Sequence, residues 1–523
     1  MNRPRLIYYN DAHHFHAKRL EPPASIHMLE WPVNEIAGTG VDLLALGLGY
    51  GDVYFHQSKV GRVVGQQKEV WDNYIDWRIM RMVQEAAAKG TDQLREVIRR
   101  GHETGIKVFP SIKLQDGSVP YGERCGKLKW ERGQEVCIGE EGRAEWSYDY
   151  ANAEVRDYKL ALIREVLEDY RADGIELDYL FGNVYFKEAE VQQGMKIMAD
   201  FVSEVRELAT QIGQKQDREV GVMARVGLLR DENMEQGLDV QQWLKDGALD
   251  HVVGQDPYVL SETSVQQSWM PEAANAVGVG AYYRPPRRVY DERVGLPSIE
   301  MYRALNQMLI SDGWAGQYHG YLLWPFDNRE YQILRELAHP EVHVRSRKRY
   351  ITQPKEGVEG QPTTTPHRQC PVQLVEGETA KVNLLIADDV DAAKSDGEMR
   401  KPVLTLRFSY FCIEDEYEIR FNGQVLPIEE FEITDERGLE MRLRLAGSMS
   451  VQAPLGMSAH WFRCKLPIDL VRQGDNLIEV AMGKLDPKAG FTRSINGAEV
   501  LMRYRDMERP EGFDVDRIAP LSA

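Results

Sequence analysis

Short apolar runs alternate with longer amphipathic segments over residues 1–345 of the chain. Short apolar runs flanked by turn residues are typical of buried β-strands, and apolar residues spaced at a 3.6-residue period are typical of helices. The apolar runs predict strands at residues 6–9, 41–47, 106–112, 174–178, 219–225, 251–255, 277–283 and 320–325. The longer segments predict helices, most clearly at residues 74–104, 155–170, 187–212, 240–245 and 299–311. Eight alternating βα units predict a (β/α)8 TIM barrel, and their even alternation disfavours the alternative of a doubly wound open sheet.

Three long segments follow the second, third and sixth predicted strands, at residues 48–73, 113–152 and 257–275. Active sites of TIM barrels are built after the C-terminal ends of the strands, so these segments suit the walls of a cleft. The glycines within residues 47–52 do not have the spacing of a dinucleotide-binding fingerprint. We therefore expect a turn there rather than a nucleotide site.

The pattern changes after residue 345. Residues 346–371 are rich in Pro, Gly and Thr and predict a linker. From residue 372 onward, alternation with a period of two and no helical pattern predict strands at residues 382–386, 403–411, 417–421, 440–445, 462–466, 476–482 and 500–504. Asn422-Gly423 predicts a tight hairpin turn. We therefore expect a catalytic barrel at 1–345, the linker, and an accessory antiparallel β-sandwich at 372–523.

Composition narrows the choice of partner. The chain has 523 residues, too many for one hydrophobic core, and its formal net charge is −18. This negative excess disfavours nucleic acid and anionic membranes and suits a neutral substrate. No apolar run approaches the roughly 20 residues of a membrane span, and the N-terminus lacks the apolar core of a signal peptide. The protein is therefore expected to be cytoplasmic unless a signal peptide has been removed. The five cysteines form no CxxC pair, which indicates neither a disulfide scaffold nor a cysteine-rich zinc site.

The fourth predicted strand carries two carboxylates on one face. Because strand side chains alternate, Glu176 and Asp178 share a side with Gly174, whereas Ile175 and Leu177 face the other way. Two buried carboxylates are costly unless they are hydrogen-bonded or perform chemistry. Asp178 is the last inward residue and should lie at the catalytic rim, with Glu176 one layer deeper. We predict that Asp178 is a nucleophile or acid/base tuned by Glu176; the alternative is a structural pair tied to Arg and Tyr.

The run DGIELD at residues 173–178 resembles the chitinase-type motif Asp-Gly-x-Asp-x-Asp-x-Glu. Leu180 stands at the position of the catalytic Glu of that motif. The substitution removes the acid that those enzymes need, so we exclude a chitinase.

The chain more closely resembles bacterial glycoside-hydrolase-like TIM barrels, often called family-10-like glycosyl hydrolases. The resemblance is carried by WSYDYANAEVRDY at 146–158, DGIELD at 173–178, GLDVQQW at 237–243 and GALDHVV at 247–253. It extends from near the N-terminus to about residue 340 and implies the barrel fold and hydrolysis of glycosidic bonds. In relatives similar to α-amylase-type barrels, the aspartate of strand four is the nucleophile, which corresponds to Asp178.

Glycoside hydrolysis requires a second carboxyl group to protonate the leaving oxygen. Asp256, which follows the sixth predicted strand, is our first choice, although an Asp before Pro is also a common turn arrangement. Asp327 follows the eighth strand, where capping of the next helix is the competing interpretation, and Asp116 is a further candidate. Arg225 ends the fifth strand, so we expect it beside Asp178, holding that carboxylate in its charged form or pairing with Glu176.

Several residues at strand ends are candidates for binding substrate. His13, His14 and His16 follow the first strand, but their spacing matches no metal motif. We therefore expect no metal and no cofactor, and assign His14 to a sugar hydroxyl. Aromatic residues near strand ends suit stacking on sugar rings: Tyr9, Tyr50, Tyr258, Trp269, Tyr282, Tyr283 and Trp324. The predicted substrate-binding residues are Arg225, His14, Tyr258, Trp324 and Asp327.

The prediction is a glycosidase that acts on an oligosaccharide or polysaccharide through paired carboxylates. A non-catalytic carbohydrate-binding barrel is the alternative, and a lyase acting on acidic sugars is a third interpretation, which the net charge does not support. The expected partner is a carbohydrate, with neither nucleic acid nor membrane. The sandwich is expected to be structural or to support homo-oligomerisation.

Overall fold

The computed structural model describes residues 3–66, 68–142, 144–256, 260, 262–265, 267–286, 289, 296–353, 369–435 and 459–505. These residues form two compact units. The first takes the described residues of Met1–Asp256, Gln267–Pro285 and Gly313–Ala338, and the second those of Pro257–Gln266, Pro286–Asp312 and His339–Ala523. None of the helices described is long and apolar enough to cross a lipid bilayer.

A closed parallel barrel forms the first unit. The strands of this unit are β1 (Leu6–Asn10), β2 (Leu43–Gly47), β3 (Gly49–Tyr50), β4 (Val53–Tyr54), β5 (Arg62–Val63), β6 (Lys107–Lys113), β7 (Gly174–Asp178), β8 (Gly221–Gly227), β9 (His251–Gln255), β10 (Gly280–Arg284) and β11 (Gly316–Gly320). Eight of them close in the order β1-β11-β10-β9-β8-β7-β6-β2, and β3, β4 and β5 form a small separate sheet. The predicted (β/α)8 barrel is confirmed, and the open sheet is excluded.

Helices occupy most of the connections between barrel strands. They are α1 (Ala12–Arg19), α2 (Ile26–Leu29), α3 (Trp31–Asn34), α4 (Tyr74–Ala88), α5 (Gln93–Thr104), α6 (Lys127–Arg132), α7 (Ala153–Glu168), α8 (Val191–Gln216), α9 (Arg230–Glu235), α10 (Val240–Lys245), α11 (Trp269–Ala276), α12 (Ile299–Ser311), α13 (Asn328–Ala338) and α14 (Val390–Ser395). Helices α12 and α14 belong to the second unit. Short 3₁₀ turns occur at Gly133–Val136, Glu188–Glu190, Pro340–Val342, Ile428–Glu430 and Ile468–Leu470.

Two elements of the barrel differ from the sequence prediction. The helix expected at 74–104 is two helices, because Gly90 adopts a left-handed φ of 77° and Asp92 starts α5 by accepting the backbone N–H of Arg95 at 2.9 Å. The eighth barrel strand is β11 rather than residues 320–325. Its polar residues Gln317 and His319 interrupt the apolar pattern, whereas the apolar run that suggested a strand follows it.

The barrel interior changes from apolar to polar toward the C-terminal ends of the strands. One apolar cluster fills it: Ile7, Tyr9, Leu43, Ala45, Phe109, Met223, Val253, Tyr282 and Tyr318. Above this cluster the inward positions become polar: Ser111, Glu176, Asp178, Arg225 and Gln255. The fold therefore gathers polar side chains from neighbouring strands at the end where barrel active sites lie.

The second unit is an antiparallel β-sandwich. Its strands are β12 (Lys348–Thr352), β13 (Val372–Leu374), β14 (Thr379–Ile386), β15 (Met399–Ser409), β16 (Tyr417–Phe421), β17 (Gln424–Leu426), β18 (Glu432–Asp435), β19 (Ala459–Lys465), β20 (Gly474–Met482) and β21 (Arg493–Tyr504). One sheet has the order β12-β21-β15-β19-β18 with β13 beside β21, and the other has the order β14-β20-β16-β17. Apolar residues from both sheets share one core. The sandwich is confirmed.

Details of the sandwich refine the sequence analysis. Asn422-Gly423 forms the expected hairpin turn, with φ values of 49° and 82° between β16 and β17. Helix α14 occurs where no helix was predicted. The range 346–371, predicted as a linker, contains strand β12, while the strand predicted at 440–445 lies outside the described residues.

Candidate active site

A buried arginine joins the two carboxylates of strand β7. Arg225 on β8 is the register partner of Asp178. Its Nη2 lies 2.6 Å from Asp178 Oδ2, and its Nε donates to Glu176 Oε1 at 3.2 Å. The side chains of Arg225, Glu176 and Asp178 are 5%, 0% and 3% exposed, so their charges are compensated by one another rather than by water.

Glu176 is held from two further sides. The Ser111 hydroxyl donates to Oε1 at 2.6 Å, and the Tyr318 hydroxyl donates to Oε2 at 2.7 Å. Burial raises the pKa of Glu176; Arg225 opposes the rise, Asp178 adds to it, and the two hydroxyls oppose it. Glu176 therefore lies in the supporting layer where strand alternation puts it, and its tuning of Asp178 stays a prediction.

Arg225 also contacts the end of β9. Its Nη1 donates to Gln255 Oε1 at 2.9 Å, and Arg284 donates to the same oxygen. Burial alone would lower the pKa of Arg225, but Asp178, Tyr318 and Glu176 raise it well above its ordinary value. Burial, followed by the charge of Arg225, lowers the pKa of Arg284. A single amide oxygen thus receives donors from both guanidinium groups.

Asp178 ends its strand at the C-terminal mouth of the barrel. Its Oδ1 accepts the backbone N–H of Leu180 at 2.9 Å, and its Oδ2 faces Arg225. Lys113, which ends β6, is its register partner on the other side. Donors on both oxygens therefore fix the orientation of the carboxylate.

A second polar cluster follows β1. Asp11 accepts the backbone N–H of His13 at 3.0 Å and the hydroxyl of Tyr321 at 2.7 Å, and His14 Nδ1 lies 3.2 Å from its Oδ2. Burial alone would raise the pKa of Asp11, but His14, Lys113 and Tyr321 lower it far below the ordinary value. Asp11 is therefore an anionic acceptor and not a proton donor.

The backbone and the imidazole of this cluster are also perturbed. Tyr321 has a φ of 57°, a left-handed conformation that a bulky residue rarely adopts and that functional sites often contain. Burial lowers the pKa of His13 to about 4. His13 is therefore neutral at physiological pH and can both donate and accept a hydrogen bond.

The same cluster has the ligand types of a metal site. One ligand atom each from Asp11, His13 and His14 lies within 4.8 Å of the others. The charge of Lys113 acts on both Asp11 and His13, and that of Arg124 acts on His13. These two cations disfavour a further positive charge at the cluster. Binding of a substrate hydroxyl by His14 stays a prediction.

The predicted acid/base lies just beyond the inward end of a barrel strand. Asp256 follows β9, and its backbone N–H donates to the carbonyl oxygen of Arg284 at 3.4 Å. The inward position at the end of β9 is Gln255, and the charge of Asp256 acts on the phenol of Tyr283. The assignment of Asp256 as acid/base stays a prediction.

The other predicted residues lie in several places. Asp327 caps α13, accepting the backbone N–H of Arg329 at 2.8 Å, which is the capping arrangement considered from the sequence. Trp324 is 43% exposed, with the Arg19 guanidinium 5.3 Å from its ring centroid. Tyr258 lies outside the described residues. The roles of these three in substrate binding stay predictions.

Asp116 and His16 are buried away from the Asp178 network. Asp116 pairs with the buried ammonium of Lys129 at 3.4 Å, inside the segment that follows β6. His16 contacts the carbonyl oxygen of Ala12 through Nδ1 at 2.9 Å. Neither contact involves Arg225, Glu176 or Asp178.

Sequence reasoning assigned no role to Ser111, Gln255, Tyr318 or Tyr321. For Ser111 and Gln255, the signal was available in strand parity, since each shares the inward face of its own strand with the apolar cluster. Asp11 and Tyr321 are separated by 310 positions, and only closure of the barrel brings them together.

No known family model matches the chain, and a comparison with curated proteins gives no match. Among solved structures, the chain is similar to α-L-fucosidase isoenzyme 2 from Paenibacillus thiaminolyticus, with 15% identity, 66% of this chain and 51% of that chain covered, and a TM-score of 0.42. The alignment thus spans about half of the fucosidase.

Two further solved structures are similar in the same range. The glycoside hydrolase domain of PgaB (BpsB) from Bordetella bronchiseptica is 15% identical, with 64% of this chain and 99% of that chain covered and a TM-score of 0.41. An α-galactosidase from Thermus thermophilus in complex with stachyose is 15% identical, with coverages of 64% and 65% and a TM-score of 0.39. These similarities identify neither a substrate nor a catalytic residue.

Proposed function

We propose that the protein is a glycoside hydrolase that cleaves O-glycosidic bonds at the C-terminal mouth of the barrel. The observation that carries the proposal is the carboxylate of Asp178, which ends β7 with Arg225 Nη2 2.6 Å from one oxygen. A charged, rigidly oriented carboxylate at a barrel mouth is what attack on an anomeric carbon requires.

The proposed reaction has two displacements. Asp178 attacks the anomeric carbon while Asp256 protonates the departing glycosidic oxygen. Asp256 then takes a proton from water, whose oxygen attacks the anomeric carbon and releases Asp178. Glu176 and Arg225 position Asp178 through the ion pairs described above. The role of Asp256 is supported by its place after β9, two strands from β7 around the barrel.

The first experiment replaces the proposed nucleophile. The wild type and Asp178→Asn are assayed on a panel of aryl α- and β-glycosides and oligosaccharides, with product configuration read by proton NMR. We expect the wild type to retain configuration and Asp178→Asn to lose at least about 10³-fold in kcat/KM, as removal of a chemical group does. Asp200→Asn is the matched control, because the Asp200 side chain is 60% exposed on α8 and the change is expected to alter turnover little. Unchanged turnover in a folded Asp178→Asn variant contradicts the assignment.

The second experiment tests the acid. Aryl glycosides with acidic phenols need no proton on the leaving oxygen, whereas those with weakly acidic phenols do. Asp256→Asn should therefore lose at least about 10²-fold in kcat/KM on weakly acidic phenols and little in kcat/KM on 2,4-dinitrophenyl glycosides, while loss of the base for the second displacement should lower kcat on both. An equal loss in kcat/KM on both removes Asp256 from the acid/base role while leaving Asp178 in place.

A carbohydrate-binding barrel without catalysis is the second candidate. It is favoured by the occupation of both Asp178 oxygens and by the amide of Gln255 at the inward end of β9. This candidate predicts that the wild type binds glycans in calorimetry and turns over none of the panel. Turnover of any glycoside that depends on Asp178 excludes it.

A further inference from the structure

A cavity of about 190 Å³ lies among the segments that follow β2 and β6. Five aromatic rings line it: Tyr50, Phe55, Trp71, Tyr121 and Trp130. An apolar cavity of about 150 Å³ holds one benzene molecule, so this cavity has the size for a single six-membered ring. It uses none of the residues of the Asp178 network.

The cavity also carries balanced charges. Arg62, Lys68, Asp76 and Glu123 line it, and the two cations offset the two anions. Arg62 Nη1 donates to the carbonyl oxygen of Cys125 at 2.6 Å, and Lys68 pairs with Glu123. Asp76 differs, since its carboxylate makes no hydrogen bond or ion pair within the part of the chain that the structure describes. Burial and then the charge of Glu123 raise the pKa of Asp76.

Two donors in the cavity wall are also unsatisfied. The indole Nε1 of Trp71 and the Nε of Arg62 are buried without a hydrogen-bond partner among the described residues. Buried donors almost always have a partner in folded proteins. The residues that line the cavity therefore include two unsatisfied N–H donors, one carboxylate without a hydrogen-bond partner among the described residues, and five aromatic rings.

We propose that this cavity binds one neutral pyranose ring. A sugar hydroxyl both donates and accepts, so it satisfies Asp76 as well as the N–H groups of Trp71 and Arg62, while the apolar face of the ring packs on the aromatics. An anionic ligand is repelled by Asp76 and Glu123. A cationic ligand is likewise repelled by Arg62 and Lys68; since the two cations offset the two anions, neither kind of charged ligand gains a net attraction that would replace its hydration, and an apolar ring leaves the polar groups unpaired.

The cavity is connected to the rim cluster by Tyr50. Tyr50 lines the cavity, and its ring centroid lies 4.4 Å from that of His13, which neighbours Asp11. A glycan with one unit in the cavity would thus extend along this cluster, making the cavity a distal subsite of the proposed hydrolase. This second step rests on the proposed function, whereas sugar binding does not.

The test uses the full-length protein carrying Asp178→Asn and ¹⁵N-labelled tryptophan. Trp71→Phe identifies the indole N–H signal of Trp71 by its disappearance. D-glucose, D-galactose, D-mannose and D-xylose are titrated, with D-glucuronate, D-glucosamine and cyclohexanol as anionic, cationic and apolar comparators. At least one neutral sugar should shift the Trp71 signal saturably, and each comparator should bind at least about tenfold more weakly.

Variants separate the cavity from other sites. In calorimetry, Asp76→Ala should weaken binding of the sugar that shifts the Trp71 signal by about tenfold, because the change removes a charged acceptor. Trp71→Phe should weaken binding of the same sugar by about fivefold. Trp77→Phe is the matched control. Trp77 lies on α4 next to Asp76, is 38% exposed and does not line the cavity. No shift with any neutral sugar, equal binding of cyclohexanol, or unchanged affinity in a folded Asp76→Ala variant overturns the proposal.

The outcomes also distinguish this proposal from the hydrolase. If the wild type turns over no glycoside while a neutral sugar shifts the Trp71 signal, the proposal of sugar binding in the cavity is supported and the proposal of a hydrolase is contradicted. If turnover depends on Asp178 while no sugar shifts the Trp71 signal, the hydrolase proposal is supported and the proposal of sugar binding in the cavity is contradicted. If both stand, Asp76→Ala should raise KM for an oligosaccharide more than for an aryl monosaccharide, and equal effects on both contradict the distal subsite.

Discussion

Arg225 in the barrel and Arg493 in the sandwich are both buried beside carboxylates, but their donors are used differently. In the sandwich, Arg493 forms a bidentate pair with Asp415, with Nε to Oδ2 at 2.8 Å and Nη2 to Oδ1 at 3.0 Å. Its Nη1 donates to the carbonyl oxygens of Ala489 and Phe491 at 2.6 and 2.9 Å. These contacts hold the loop that contains Asp415 and the loop that contains Ala489 and Phe491 to the first residue of β21.

In the barrel, Arg225 distributes its donors over three side chains instead. Glu176, Asp178 and Gln255 come from two neighbouring strands, and none of these contacts closes a loop. Buried ion pairs are weak evidence for either stability or function by themselves. The convergence of charged side chains at the ends of barrel strands, rather than burial of an ion pair, is what distinguishes the candidate active site from the sandwich pair.

The largest effect is expected from Arg225→Met. Two buried carboxylates lose their shared cation, which should lower kcat/KM by at least about 10³-fold, in the range of lost electrostatic groups in active sites. It should also lower the free energy of unfolding by about 3–5 kcal/mol. Kinetics on the best aryl glycoside and urea unfolding measure the two effects. Arg225→Lys, which keeps the charge but not the planar fork, should fall between the wild type and Arg225→Met. A folded Arg225→Met variant with normal turnover would mean that Arg225, like Arg493, has only a structural role.

The matched change in the sandwich is Arg493→Met. It leaves Asp415 buried without its cation and should lower the free energy of unfolding of the sandwich by about 3–5 kcal/mol. Turnover should not change, because Arg493 fastens loops rather than orienting a reacting group. Trp461 is the single tryptophan of residues 339–523, so its indole signal reports the unfolding of this unit. A loss of turnover before any loss of the Trp461 signal would remove the distinction between the two arginines.

A smaller effect is expected from Glu176→Gln. The amide keeps the shape but loses the charge that holds Arg225 Nε, so Arg225 and with it Asp178 should be less well positioned. We expect kcat to fall by about 10–100-fold, with KM nearly unchanged. Ser111→Ala removes one neutral donor to Glu176 and should cost less than about tenfold. A positioning role also predicts a changed pH profile of kcat in Glu176→Gln, which loss of packing alone would not produce.

The parts of the site that the sequence predicts are those set by the alternation of side chains along one strand. Alternation along a single strand predicts that Glu176 and Asp178 face inward, and strand order predicts that Arg225 lies beside Asp178. The contact of Tyr318 with Glu176 spans 142 positions and depends on closure and register of the barrel, which no local pattern encodes. Strand β11 was missed for a different reason: its alternate residues Gln317 and His319 are polar although buried, and they contact each other at 2.7 Å.

The smallest effect at neutral pH concerns the buried histidines of the barrel. Burial lowers the pKa of His16 and His251 to about 4 and that of His319 to about 3. An unfolded histidine has a pKa of about 6.5, so below that pH the unfolded chain binds more protons than the folded barrel. The contribution of these histidines should be complete above about pH 6.5, fall with a slope of about 1.4 kcal/mol per pH unit for each of them, and level off near pH 4 for His16 and His251 and near pH 3 for His319.

His16→Phe isolates one of these contributions. The variant loses the Nδ1 contact with the carbonyl oxygen of Ala12 and should be less stable at pH 8 by about 1 kcal/mol. The slope of unfolding free energy between pH 4.5 and 6 should nevertheless decrease by about 1.4 kcal/mol per pH unit. His27→Phe, whose side chain is 71% exposed in the native protein, should keep the wild-type slope. Because the readout is a slope, a general loss of packing cannot imitate it, and an unchanged slope in His16→Phe would mean that this buried histidine carries its proton into the folded barrel.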